Sequence, residues 1–360
     1  MVDWLSRFYK GFTGLRSAFT MAGGGQATPV FGLMARRIAF TMAEILLSLT
    51  IIGVVAAITL PSLTGNINER TWNTQRKALF SRLSQAVALM PQVRGYGEFS
   101  KQSGGIDVSS NAGEVFLASG LSKVFKLNNI CDADHLSDCG IPDVFNTYGT
   151  ASKVYLSDIR NLGDLALYEG GGCGLMAGSL NRESVMAVAF ETSNGENVLL
   201  YYNPVCKFSD LAMKADLLEN GIDIFSILCA NFVYDLNGKK GPNTVGKDVG
   251  FMSLFYGDTL SLVAPSLLSR KIDGDQSTRN QYCREIEGRI PNMEELASVM
   301  VNTSLSGFGE YAGWRFESVT PFVSSSQPTV KKLMVLDMAN YAIFPFDVPT
   351  EQSSFCIKRD

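Results

Sequence analysis

Residues 40–63 carry a single charge, Glu44, in an otherwise apolar run with a few hydroxyls, and this segment limits what the rest of the chain can be. As a helix, its 24 residues would extend about 36 Å at ~1.5 Å per residue, enough to cross a ~30 Å hydrocarbon core. A carboxylate inside hydrocarbon costs about 2.5–3.5 kcal/mol or more, which marks Glu44 as a functional candidate. A cation able to reach the same depth would be its natural partner. Gly53, Ala56 and Ala57 thin one side of the later half, which suits close packing of helices.

The flanks point the same way. Residues 1–39 hold Arg7, Lys10, Arg16, Arg36 and Arg37 against Asp3, a net of +4 that leaves −8 for the remainder of a chain of net charge −4. A basic flank places that side of a span in the cytoplasm and sends the rest outward. The acidic remainder argues against nucleic acid as a partner, because phosphate binding needs clustered Lys and Arg. Residues 1–33 show no convincing periodicity. Met34 offers a later start, and the leader is excluded from the fold.

The series Arg36-Arg37-Ile38-Ala39-Phe40-Thr41-Met42-Ala43-Glu44, followed by the apolar run and Pro61, resembles the N-terminus of type IV pilins and type II secretion pseudopilins. The resemblance covers about residues 36–90. Ala39 stands where that family usually has Gly, and Met42 where it has Leu. It implies cleavage by prepilin peptidase between Ala39 and Phe40 and N-methylation of Phe40. It also implies assembly with other pilin or pseudopilin subunits through Phe40, Glu44 and the helix carrying Pro61. The competing reading is an ordinary signal peptide cut after Val55-Ala56-Ala57.

Beyond Pro61 the pattern becomes amphipathic. Trp72, Leu79, Leu83, Ala86, Val87 and Met90 fall at helical spacing, and Pro91 with Gly95 and Gly97 ends the helix. Residues 112–127 also read as helix. Further on, 184–190 and 198–202 flank Asn194-Gly195, a strong hairpin signal. Strands are expected at 232–234 and 249–255. Asn292 reads as a helix N-cap with Glu295 at the capping-box position.

Between the last two strands lies Asp235-Leu236-Asn237-Gly238-Lys239-Lys240-Gly241-Pro242-Asn243-Thr244-Val245-Gly246-Lys247-Asp248. It is similar to a loop in a group of bacterial pseudopilin-like proteins. Asp235, Asn237, Asn243 and Asp248 offer oxygens to calcium, the only cofactor that the sequence suggests. Against this, the spacing is not that of an EF-hand, and three lysines would repel a cation. A wide turn with left-handed Asn and Gly accounts for the same residues.

Residues 282–296 with Trp314 and the terminal Phe355-Cys356-Ile357-Lys358-Arg359 resemble a C-type-lectin-like module of bacterial surface proteins. The calcium- and sugar-binding residues of that module are not recognisable here. Seven cysteines without close CxxC spacing, in an exported chain, imply disulfides. Cys131 pairs with Cys139, Cys206 with Cys229, and Cys283 with Cys356, the last tying the two ends of the C-terminal module. Cys173 is left over. The series Cys131, His135, Cys139 supplies three ligands where structural zinc takes four, so a small disulfide loop is preferred. With one His and no phosphate-binding loop or zincin motif, the chain does not read as an enzyme.

The expected architecture is therefore α+β. A leader (1–39) precedes a membrane helix (40–63) and an amphipathic helix (64–93), followed by a β-rich head (94–270) and a lectin-like module (271–360). The expected function is a minor pilin or pseudopilin, held by a single span in the bacterial inner membrane with its head exported and then built into a filament. The alternative is a surface adhesin whose C-terminal module takes a glycan or protein.

Overall fold

The computed structural model describes residues 42–93, 111–167, 182–204, 206, 222–256, 260–309, 315–322, 332–338, 341–347 and 352–358. The chain divides into two units, Met1–Ser62 and Leu63–Asp360, and the division falls inside the first helix, α1 (Met42–Leu89).

In the first unit, every described large apolar side chain of α1 is exposed, from Met42 to Val55. In the second, the amphipathic stripe behaves as its spacing predicts. Leu79, Leu83, Ala86, Val87 and Met90 are buried, and Trp72 packs partly against them. Pro91, unable to donate a helix bond, falls where α1 gives way to a 3-10 turn, Met90–Gln92.

The next segment is less regular than its periodicity suggests. α2 (Ala112–Val115) passes into a π turn, Phe116–Gly120, and a 3-10 turn, Leu121–Lys123. There follow β1 (Leu127–Cys131), β2 (Val144–Asn146), β3 (Lys153–Tyr155) and α3 (Leu162–Leu165). β4 (Ala187–Thr192) and β5 (Asn197–Tyr202) form the expected hairpin. Gly195 sits at its tip with φ +86°, a conformation that glycine adopts without steric penalty. Then come β6 (Ile222–Asp223), α4 (Ile224–Ile227), β7 (Leu228–Asp235), β8 (Val249–Tyr256) and β9 (Leu260–Val263).

β1, β4, β5, β7, β8 and β9 make one antiparallel sheet in that order. Its central strands are buried along their lengths because both faces are covered. On one face Val198, Leu200, Tyr202, Phe232, Met252 and Leu254 meet the α1 stripe and α2. On the other, Leu199, Tyr201, Val233, Phe251 and Phe255 enter a second core. Alternate residues of each strand thus serve different cores, as a period of two requires.

The second core is completed by the C-terminal part of the chain: α5 (Gln276–Glu285), β10 (Gly288–Arg289), α6 (Met293–Val301), α7 (Thr303–Ser306), β11 (Arg315–Phe322), β12 (Lys332–Asp337), β13 (Ala342–Asp347) and β14 (Ile357–Lys358). β11, β12, β13 and β6 form a four-stranded sheet. α6 opens with a capping box of Asn292 and Glu295. Its Leu296, Ala297, Val299 and Met300 share one core with β5, β7 and β8. A buried polar seam adds to that contact: Asn231 bonds Asn302 at 2.8 Å, and Ser253 bonds Ser298 at 2.7 Å.

Two expectations are overturned. The chain is β-rich around a six-stranded antiparallel sheet, not an α+β chain of membrane helix, head and separate lectin-like module. Sixteen of the forty buried residues of the second core come from 271–360, so the C-terminal residues pack into the core of the head. The single-pass inner-membrane anchor also falls. Among the described residues no helix is long and apolar enough to cross a membrane. The described apolar side chains of α1 run from Met42 to Ala57, about 24 Å at ~1.5 Å per residue, against a ~30 Å core. Described side chains resume at Asn68, Glu69 and Arg70, which are exposed and polar or charged.

Candidate functional site

The loop from β7 to β8 begins and ends on buried carboxylates. Asp235, the last residue of β7, is paired with Val249, the first of β8, so Asp248 comes to the same end of the sheet. The Leu236 N–H donates to the Asp248 carbonyl at 3.0 Å and closes the base of the loop. Both aspartates are buried, at 1% and 0% exposure.

Their oxygens are used unequally. Asp248 accepts from the Asn243 and Thr244 N–H groups, one on each oxygen, both at 2.9 Å. Asp235 accepts two N–H bonds on Oδ1 alone, from Asn237 at 2.9 Å and Gly238 at 2.8 Å. Asp235 Oδ2 is buried with no partner, and so are Asn237 Oδ1 and Asn243 Oδ1. The Asn237 amide is oriented by its Nδ2, which donates to the Gly241 carbonyl at 2.8 Å. Burial pushes the Asp235 carboxyl up to about 7 against the pull of its N–H donors, and the neighbouring Asp248 charge adds to the rise.

The wide-turn reading is also met. Gly238, Gly241, Gly246 and Asn243 all have positive φ. The lysines expected to repel a cation, Lys239, Lys240 and Lys247, are exposed. Two partners were invisible in the sequence. Asn146 of β2 donates from Nδ2 to the Pro242 carbonyl at 2.8 Å, and its N–H donates to the Asn243 carbonyl at 2.8 Å. Arg76 of α1 reaches the far side of the loop, with Nη2 donating to the Lys247 carbonyl at 3.0 Å and Nη1 to Ser266 Oγ at 3.1 Å. Burial raises the pKa of the Tyr234 hydroxyl, and the Arg76 charge opposes that rise. Neither residue belongs to a motif; only chain folding over 90 or more positions brings them here.

Among the described residues no cluster of three or more His, Cys, Asp or Glu is formed that could hold a metal. The loop's donors are instead two Asp and two Asn, a set made wholly of hard oxygens.

The remaining candidates are placed as follows. Ala39, Phe40 and Cys173 lie outside the described residues. Glu44 sits in the first turn of α1, and Pro61 lies within that helix. Three disulfides are formed, Cys131–Cys139, Cys206–Cys229 and Cys283–Cys356, the pairs drawn from the sequence. They belong with an oxidising compartment.

With its cysteines joined, the 131–139 loop leaves His135 exposed, its Nδ1 2.7 Å from Asp132 Oδ1. The hydrogen bond to Asp132, and then its charge, raise the His135 pKa above the ordinary histidine value. An NMR titration of the ring protons is expected to show a midpoint above that of a model histidine. Asp132→Asn should lower it; an unchanged midpoint would exclude the pair in solution.

No family model, curated protein or solved structure matches the chain.

Proposed function

We propose that the chain is a prepilin-like structural subunit, cut between Ala39 and Phe40 by prepilin peptidase and built through α1 into a type IV pilus or type II secretion filament. The observation that carries this reading is the apolar surface at the head of α1. Met42, Ile45, Leu46, Leu47, Leu49, Ile51, Ile52, Val54 and Val55 are all 44–78% exposed. They point to every side of the helix. A helix that is apolar all round is stable only when surrounded. The equivalent helices of neighbouring subunits supply such surroundings, with Gly53 and Ala57 allowing close approach.

The rest of the chain suits a building block. The C-terminal residues complete the core of the head, which favours a structural role over a detachable binding module. The role is that of substrate for the peptidase and component of the fibre, not of a catalyst.

Mass spectrometry of the mature chain from its native host tests the proposal. The expected N-terminus is a methylated Phe40. A mature chain starting at Ile58 would show cleavage by ordinary signal peptidase and would end the pilin reading.

A further inference from the structure

We propose that the free edge of β9 is a docking site for an extended acidic segment of a partner protein, added to the six-stranded sheet as a further strand. The inference does not depend on the filament reading. β9 lies at one side of the sheet, and among the described residues no strand pairs with its second edge. Such an edge presents a row of unpaired N–H and C=O groups, which proteins usually blunt. β1, at the opposite side of the sheet, is blunted: a register shift between Leu127 and Asn129 breaks its ladder. β9 carries no such device. Its pairing with β8 is regular, and its sequence, Leu-Ser-Leu-Val, holds neither charge nor proline.

The edge opens into a groove of about 630 Å³. One wall is α1, with Lys77 and Phe80, and the other is the start of α6, with Asn292 and Glu294. α1 and α6 are also the helices that cover the two faces of the sheet. A strand laid in the groove would therefore be covered as β7 and β8 are. Those strands are buried along almost their whole length, whereas every residue of β9 is only half-buried.

Side-chain alternation sets what fits. Leu260, Leu262 and Ala264 pack towards the α1 core. On the other face Val263 packs on the second core, and Ser261 Oγ donates to Glu294 Oε2 at 2.8 Å. An added strand alternates likewise. Towards α1 it meets Phe80 and Leu262, and beside them two ammonium groups. Lys77 lies one turn before Phe80, next to Arg76, which donates to Ser266 Oγ. The Lys358 N–H donates to the Ser266 carbonyl at 2.8 Å, and its side chain lines the groove. Among the described residues neither lysine has an ion-pair partner. Across the groove Glu295 is neutralised by Arg289, so the surplus charge is positive.

The fitting strand runs antiparallel to β9, as every pairing in this sheet does. It begins with an acidic residue beside the lysines and places apolar residues at the next alternate positions, against Leu262, Phe80 and Leu260. Its other face is small and polar, because Asn292 and Glu294 stand there. Main-chain bonds give such a strand its affinity and alternate side chains its selectivity, with charge steering the encounter.

The test uses the purified full chain and the peptide acetyl-Ser-Asp-Ser-Val-Ser-Val-amide at millimolar concentration. Hydrogen exchange and the fluorescence anisotropy of a labelled copy report binding. The peptide should slow exchange of the amides of 260–264 and leave β1 unchanged. Lys77→Glu with Lys358→Glu should weaken binding at least tenfold. A peptide with Lys in place of Asp should then bind this double variant more tightly than it binds the wild type. N-methylation separates edge addition from occupation of the groove by side chains alone, since only alternate N–H groups of an added strand face the sheet. Methylating one alternate set should abolish binding, and methylating the other should not. No protection of 260–264, wild-type affinity in the double variant, or equal effects of the two methylated sets would overturn the proposal. So would protection of 260–264 that rises with the chain's own concentration and ignores the peptide, which would make a second copy the occupant.

Discussion

Glu44→Ala is expected to leave cleavage at Phe40 intact and to reduce recovery of the subunit in the filament fraction by tenfold or more. The proposed partner is the new amine of Phe40 on a neighbouring subunit. A neighbour shifted axially by four residues, about 6 Å, brings its amine level with Glu44. In the single chain Glu44 is exposed at the first turn of α1 and has an interaction of its own, so it causes little strain there. In the proposed filament its surroundings would change. The apolar residues beside it, Ile45 to Leu47, become covered, and the carboxylate is desolvated unless a cation accompanies it. The proposed pair would then set register between subunits more than it stabilises either one. A different role is open to Glu44, because a carboxylate in the first turn is favoured by the helix dipole. Under that role Glu44→Asp and Glu44→Ser would assemble normally. Co-purification of tagged variants with filaments separates the two, and wild-type recovery of Glu44→Ala would refute the pairing.

Arg279→Leu is expected to be the most damaging single change in the head. Arg279 is 1% exposed, and its Nη2 lies 2.9 Å from Glu317 Oε2. Its Nη1 donates to the carbonyls of Gly274 and Gln352, so one side chain joins α5, β11 and the C-terminal strand region. Removing one member of a buried pair leaves the other charge uncompensated, typically at a cost of about 3–5 kcal/mol. Replacing both by apolar residues, Arg279→Leu with Glu317→Leu, should restore part of that loss. Burial holds Glu317 above the ordinary glutamate range, opposed by the Arg279 charge. The folded chain therefore holds this proton more tightly than the unfolded chain. The group's contribution is fully present below its unfolded pKa and is lost as pH rises through the folded one. Without Arg279 the folded pKa rises further, so the loss between mildly acidic and neutral pH should steepen. Denaturant unfolding across that range measures both effects; a loss below about 1 kcal/mol would show the pair to be solvated.

Arg279 also marks where sequence reasoning stopped. Nothing near it in the chain announces Glu317, 38 positions away, and its residue type suggests a surface. The C-terminal stretch departs from its sequence expectation for the same reason. Its cysteines, capping box and terminal pattern describe local chemistry, and local chemistry does not reveal which sheet α6 covers.

What the sequence determined by itself is local. Asn194-Gly195 set a hairpin because glycine tolerates the left-handed backbone that the turn requires. Asn292 and Glu295 set a helix start, and Pro91 marks the end of α1. Short apolar runs became β5, β7 and β8, and the six-position stripe of α1 found its core. Only the tertiary structure decided the rest. It covered both faces of the six-stranded sheet, merged the C-terminal residues into the head, and placed Arg76 against a loop 171 positions away. It also left three loop oxygens buried without partners while turning the lysines outward. Periodicity and turn chemistry depend on neighbours within a few residues. Burial and charge pairing depend on which distant segments exclude water from a site, and no short sequence pattern carries that information.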